Sequence, residues 1–385
     1  MTLSPAVAAQ IASAVYGVQK FANVEEAVGA RNENSLLASG DYDFGRAKSV
    51  QGSAGLGLRF NSRFSMVVPC AGAKQGEYIV ATRGTASKAD IFSDLFAAME
   101  PGPLGCPVHA GFNRVAKSVI QEINTQLANK NPTKVHVVGH SLGGAVANIL
   151  AATFALRGIG VELYTFGAPR PGVDSFRDLL ADEVKEGNIY RAFNMSDPVP
   201  LVPIYPFLHP PGVFPGALVG TRHGIVNPFA HKMDNYKAAI DDKMSWDNLT
   251  SAAHVTPMNV EELLALAAKQ INMPGVSGGL YLLGRILKKI LGTSNAVIGS
   301  QFTGSLTVLD QIGLTLSRTR TSSPEMKDQL GRFMKYTMLF AGIPFSIASF
   351  TTVISAAYIT HVLTIILRQI VGQASVAIER GDQDA

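Results

Sequence analysis

Cysteine is nearly absent: there are two in 385 residues, Cys70 and Cys106. Two can form at most one bridge, so a disulfide scaffold is excluded and both are expected as free, buried thiols. Charge is also scarce. Asp, Glu, Lys and Arg make up 16% of the chain, the formal net charge is only +4, and mean hydropathy is positive. No basic tract and no interleaving of basic with aromatic residues occurs, so a nucleic-acid partner is not expected. The low charge points to extensive burial or to contact with lipid. No basic stretch precedes Ser4 and no long apolar run follows it, so no cleavable signal peptide is expected. The expected location is the cytoplasm of the producing cell, or a signal-independent export route that ends at membranes. The length exceeds one typical domain and suits a core of about 250 residues with a second element.

Hydrophobic periodicity divides the chain. Ser4-Pro5 reads as an N-cap with proline at the first helical position. Val7, Ile11, Val15 and Val18 recur at helical spacing, giving an amphipathic helix that ends near Lys20. Residues 30–55 are polar and glycine-rich and read as loop. Strand character follows at Arg59–Val68, Glu77–Thr82, Val135–Val138, Val161–Phe166 and Ile189–Phe193. Helical patterns occupy 113–129 and Ala145–Leu156. Strands alternating with helices predict an α/β fold with a mostly parallel, doubly wound sheet. The character changes near residue 245, which divides the chain into segments 1–245 and 246–385. The second segment is expected to be all-helical, as an extension of the first. There Asn259-Val-Glu-Glu262 resembles a capping box, and Arg285, Lys288 and Lys289 share one helical face. From Tyr336 to Leu367, 32 residues carry no Asp, Glu, Lys or Arg. As one helix they would run about 48 Å, longer than a bilayer core of about 30 Å. Gly342-Ile343-Pro344 is expected to interrupt that run, leaving Phe345–Leu367, long enough to span.

One motif carries chemistry. Gly139-His140-Ser141-Leu142-Gly143 matches G-x-S-x-G, with an apolar strand before it and a helical pattern after it. The glycines permit the sharp strand-to-helix turn that exposes a serine hydroxyl. Ser141 is therefore the candidate nucleophile. A serine hydroxyl is a poor nucleophile at neutral pH and needs a base, an orienting acid and oxyanion donors. His140 sits beside Ser141 but points elsewhere on such an elbow, so it is a poor candidate for the base. Asp197 follows the apolar strand Ile189–Phe193, where such sheets place catalytic groups. His209, His223, His231, His254 and His361 lie late enough to serve as base.

In order along residues 60–240, these segments resemble the class 3 lipases, an α/β-hydrolase family that includes fungal triacylglycerol lipases. Ala81-Thr82-Arg83-Gly84-Thr85 resembles the family's oxyanion motif, and Ala89–Leu95 its lid. Val108–Phe112, Phe166–Arg170, Asp197–Pro200 and His231–Tyr236 resemble further family segments. The resemblance implies a carboxylic ester hydrolase acting on glycerolipids, with Ser141, Asp197 and His231 as triad. His231 fits the family's histidine followed by tyrosine five residues on, while His209 and His223 remain alternatives in the proline-rich stretch 203–228. The oxyanion hole would combine Thr85 with the Leu142 backbone N–H, and Arg83 would be a structural brace. Ile91, Phe92, Leu95 and Phe96, at helical spacing, would form the lid over the substrate pocket. No cofactor and no metal is implied.

The C-terminal segment refines the expected partners. A basic helix face and an uncharged stretch suit a membrane surface and a phospholipid or other glycerolipid substrate. With no signal peptide, this suggests a lipase effector such as those delivered by bacterial type VI secretion, with a phospholipase A-type activity. Its partners would then be a cognate immunity protein or a secretion carrier. Two competing readings stand beside it: a membrane-disrupting protein acting through its C-terminal helices, and a soluble carboxylesterase.

Overall fold

The computed structural model describes residues 2–31, 36–37, 40–53, 61–84, 99–194, 197, 199–203, 207–210, 217–219 and 228–252. The expectations on Thr85, on Ile91, Phe92, Leu95 and Phe96, on His223, His254 and His361, and on everything from 253 onward lie outside these residues.

Among the described residues, seven strands form one sheet. In chain order they are β1 (Lys48–Ser53), β2 (Asn61–Pro69), β3 (Glu77–Thr82), β6 (Lys134–His140), β7 (Gly160–Phe166), β8 (Ile189–Phe193) and β9 (Ala217–Leu218). Two short strands, β4 (Met99–Pro101) and β5 (Pro107–His109), pair separately. The order in the large sheet is β1-β2-β3-β6-β7-β8-β9. The first two neighbouring pairs are antiparallel and the remaining four are parallel. The mostly parallel sheet expected from the sequence is therefore present, with an antiparallel edge.

Helices cover both faces. α1 (Pro5–Ala14) packs on β3, β6 and β7, and α4 (Leu142–Ala155) packs on the same strands from the other side. Alternation in the strands separates the two cores. Ile79, Ala81, Val138, Tyr164 and Phe166 face the α1 side, where they join one buried cluster with Ile11, Val15 and Trp246. α3 (Ala110–Leu127) lies beside α4 and over β1. The short helices α2 (Val24–Gly29), α5 (Asp174–Leu180), α6 (Met233–Ala238) and α7 (Trp246–Ala252) complete the described α-helices.

Three expectations need correction. Residues 30–55, expected as loop, contain an edge strand, β1, whose alternation is broken by a bulge between Val50 and Gln51. Only Val50 supplies a large buried apolar side chain there. A bulge shifts the period of two that marks a strand in sequence. The first helix is capped as expected, with the Ser4 hydroxyl accepting from the Val7 N–H at 3.3 Å, and continues as a 3-10 turn over Val15–Gln19. It is not amphipathic in place, however. Nine of its ten residues are buried, because the sheet lies on one side and α6 packs on another. The two cysteines are free, but Cys106 is only half-buried. Burial pushes the Cys70 thiol up to about 12, with Glu77 adding to the effect. Among the described residues no helix is long and apolar enough to cross a membrane.

A polar clasp fixes the start of α1. The Leu3 N–H donates to the Tyr164 hydroxyl at 2.9 Å, and the Trp246 indole N–H donates to the Leu3 carbonyl at 2.9 Å. Tyr164 in turn donates to Glu162. Glu162 also accepts from Lys134 at 2.8 Å and lies 3.2 Å from His136 Nδ1. Burial alone would raise the Glu162 carboxyl. The hydrogen bonds from His136, Lys134 and Tyr164 outweigh burial and hold it well below the usual carboxylate range. A carboxyl lowered in the folded state stabilises fully above its unfolded value of about 4.3, and that stabilisation is lost as pH falls towards the folded value. Glu162→Gln is therefore expected to melt about 5–10 °C below the unsubstituted chain at pH 7. The gap should shrink as pH falls below about 4. Thermal melts from pH 3 to 7 check this; a gap that does not change with pH contradicts it.

Candidate active site

The site lies at the C-terminal ends of the parallel strands, where open α/β sheets bind ligands. β6 ends at His140, and α4 begins at Leu142. Between them Ser141 has φ 57 and ψ −134, a conformation an L-residue holds only when its surroundings impose it. Those surroundings are tight. A Cβ on Gly143 would lie 2.3 Å from the Thr82 carbonyl oxygen and 2.4 Å from that of Arg83. Only glycine lets the first turn of α4 press against the end of β3. The Leu142 N–H is at the first helical position, where an N–H has no intrahelical acceptor. It lies beside Ser141 at the positive end of the helix.

Three of the side chains singled out in the sequence meet here. Ser141 Oγ lies 2.8 Å from His231 Nε2, and His231 Nδ1 lies 2.8 Å from Asp197 Oδ2. A carboxylate only accepts, so the Nδ1 hydrogen points to Asp197 and Nε2 is left to accept from the serine hydroxyl. All three are buried, with exposures of 3%, 2% and 1% for Ser141, His231 and Asp197. Asp197 follows β8. Its own N–H donates to the Asn194 carbonyl at 3.0 Å, and its Oδ1 accepts from the Val199 N–H at 2.8 Å. His231 ends a 3-10 turn, Pro228–His231, just before α6.

Of the other histidines considered, His209 lies apart from this row. His209 Nε2 bonds the Pro200 carbonyl at 2.7 Å. Burial, then the charges of Arg191 and Arg170, hold its titration well below the ordinary histidine value. His140 turns to the α1 face and contacts Tyr16 and the His231 carbonyl. Arg83 braces the end of β3, donating to the carbonyls of Arg63 and Gly84 and to Ser62 Oγ. Among the described residues no cluster of His, Cys, Asp or Glu could hold a metal ion.

Two further residues complete the acid's environment. Tyr236 donates to Asp197 Oδ2 at 2.7 Å and accepts from the Asn194 N–H at 3.1 Å. Burial and then the Asp197 charge push its phenol well above the ordinary tyrosine value, so it remains a donor. Gly167, just past β7, has φ +53. A Cβ there would lie 2.7 Å from Asp197 Oδ2, 2.8 Å from the Tyr236 hydroxyl and 3.2 Å from His231 Nδ1. Sequence reasoning noted both residues only as members of longer motifs. The signals for their roles were the five-residue spacing of His231 to Tyr236 and a glycine at a strand end.

Residues 79–207 match the family model of the class 3 lipases. A similar relative, secreted mono- and diacylglycerol lipase 1 of Fusarium solani, is 35% identical over 133 residues, which are 33% of this chain and 39% of that protein. Secreted mono- and diacylglycerol lipase A of Penicillium camembertii is 33% identical over 135 residues, 33% of this chain and 43% of that protein. In both cases the matched stretch is less than half of the relative's length. The solved structure of the Rhizomucor miehei triacylglyceride lipase overlaps with a TM-score of 0.40 at 24% identity, covering 55% of this chain and 77% of that one. The sheet order and the elbow, rather than that partial overlap, identify the α/β-hydrolase fold of this segment.

Gly167→Ala tests the geometry. The added methyl must move the carboxylate or the imidazole, and misplacement by about 1 Å at a reacting pair costs about 100-fold in rate. We expect a loss of that order in kcat/KM on a soluble ester, with the melting temperature shifted by a few degrees at most. Initial rates and a thermal melt check it, and a rate within about threefold of the unsubstituted chain contradicts it.

Proposed function

We propose that this chain hydrolyses carboxylic ester bonds of glycerolipids through an acyl-enzyme on Ser141. The observation that carries the proposal is the continuous row Asp197–His231–Ser141, 2.8 Å at each step, on a strained turn at a strand end. Ser141 Oγ attacks the ester carbonyl carbon while its proton passes to His231 Nε2. Asp197 keeps the Nδ1 hydrogen in place and stabilises the imidazolium that forms. The carbonyl oxygen becomes an oxyanion, received by the Leu142 N–H and, on the family resemblance, by Thr85. Collapse of that intermediate expels the alcohol, which takes the proton from His231. Water then attacks the acyl-serine with His231 again as base, releasing the fatty acid and restoring Ser141.

The substrate class rests on the family and on the names of the relatives, which are mono- and diacylglycerol lipases. A narrower reading, a phospholipase A-type effector acting on membranes, rests on the sequence alone: the spacing of Arg285, Lys288 and Lys289 and the uncharged stretch 336–367. One experiment addresses both. The full chain and its Ser141→Ala variant are incubated with monoolein, diolein, triolein and mixed phosphatidylethanolamine–phosphatidylglycerol vesicles, and products are read by mass spectrometry. Free oleate from the acylglycerols is expected, falling by about 10⁴-fold or more in Ser141→Ala. Lysophospholipid from the vesicles supports the narrower reading, and its absence overturns it. Undiminished release of fatty acid by Ser141→Ala overturns the hydrolase proposal.

A further inference from the structure

A second row of hydrogen bonds runs behind the first, and its donors and acceptors admit one assignment. His140 Nε2 lies 2.8 Å from the His231 carbonyl oxygen. A carbonyl only accepts, so Nε2 carries the hydrogen. His140 is neutral: burial, then the proximity of the His231 imidazole, depress its titration well below the ordinary value. Nδ1 must therefore accept, and its neighbour at 2.7 Å is the Tyr16 hydroxyl. Having given its proton to Nδ1, that hydroxyl accepts the Gly84 N–H at 3.0 Å. The row thus reads Gly84 N–H to Tyr16 O–H to His140 Nδ1, then His140 Nε2–H to His231 carbonyl. The His140 and His231 rings also stack, with centroids 4.7 Å apart and planes 28° from parallel.

The ends of this row are informative. One end is the main chain of the proposed base. The other is the residue before Thr85, the expected oxyanion donor. His140 lies on β6, Gly84 follows β3 and His231 lies in the turn before α6, so three separate segments converge. Tyr16 comes from the 3-10 turn after α1, the helix whose start is clasped by Tyr164 and Trp246. The turn is thereby delivered to the site by a helix fixed at its far end.

We propose that Tyr16 and His140 are positioning residues that set the base and the oxyanion segment at a fixed separation around Ser141. His140 fixes the height of the His231 imidazole through its carbonyl and its ring face. Tyr16 fixes the His140 tautomer and ties the Gly84 backbone to the same unit. Preorganisation of this kind acts on the chemical step, because donors and base must be placed before charge develops. The inference rests on the hydrolase reading above.

The test uses the full chain and p-nitrophenyl butyrate. Tyr16→Phe removes one hydroxyl and leaves the ring. One hydrogen bond to a reacting unit is worth about a tenfold change in rate, so kcat should fall about tenfold while KM stays within about twofold. His140→Leu should fall further. His140→Gln offers an amide N–H where Nε2–H stood and should recover most of what His140→Leu loses. Tyr16→Phe placed on His140→Leu should add almost nothing, because the row is already cut. Losses that appear in KM, or multiply independently in the double variant, overturn the proposal, as does unchanged kcat in Tyr16→Phe. If Ser141→Ala retains full activity, the hydrolase reading itself fails. If Ser141→Ala is inactive while Tyr16→Phe matches the unsubstituted chain, only the positioning role fails.

Discussion

The backbone reversal at Ser141 is the constraint on which the other parts depend. A parallel strand must end, a helix must begin, and the residue between them must hold a positive φ of 57°. The chain holds that conformation because several contacts bear on it at once. The Ser141 N–H donates to the Phe166 carbonyl at 3.0 Å, and the Gly144 N–H donates back to the Ser141 carbonyl at 2.8 Å. Thr82 Oγ1 donates to the Gly143 carbonyl at 2.6 Å. β3, β7 and the first turn of α4 thus lock the elbow together, so its strain is carried by the sheet rather than by local flexibility.

Because β3, β6, β7 and β8 run in parallel, their C-terminal ends fall at one edge of the sheet. Each end contributes one element of the site: Gly84 after β3, Ser141 after β6, Gly167 after β7 and Asp197 after β8. His231 arrives from a later turn and is held from two sides, by Asp197 through its ring and by His140 through its carbonyl. Buried polar groups are costly unless satisfied. Here Asp197, His231, Tyr236, His140 and Tyr16 satisfy one another, so the interior of the site is ordered by the same hydrogen bonds that assign its protons.

Much of this was legible in the sequence. The central strands read correctly because they are short apolar runs in which nearly every residue is buried, as in Val135–Val138. The elbow read correctly because its glycines have steric roles that no other residue can fill. His231 was preferred over His209 and His223 because its spacing to Tyr236 matches the pattern of the class 3 lipases that the chain resembles, and its imidazole lies between Ser141 and Asp197. The edge strand β1 was missed because a bulge breaks its alternation and its side chains are polar. The burial of α1 on all sides was not visible because it depends on α6, more than 200 residues away in the chain. The row through Tyr16 and His140 was also hidden. It joins positions 16, 84, 140 and 231, and no local pattern links them. His140 read as a bystander of the elbow because its partner could be seen only in three dimensions.

The central claim is that Ser141 is a nucleophile activated by His231 and Asp197. Covalent trapping tests it without assuming a lipid substrate. The full chain is treated with a p-nitrophenyl alkylphosphonate, and intact mass and peptide mapping locate the adduct. The account predicts one phosphonyl group on Ser141, none on the Ser141→Ala variant, and labelling slowed by several hundredfold or more, on the order of the loss seen when a triad member is removed, in His231→Ala. Labelling at another residue, or undiminished labelling of Ser141 in His231→Ala, would contradict it.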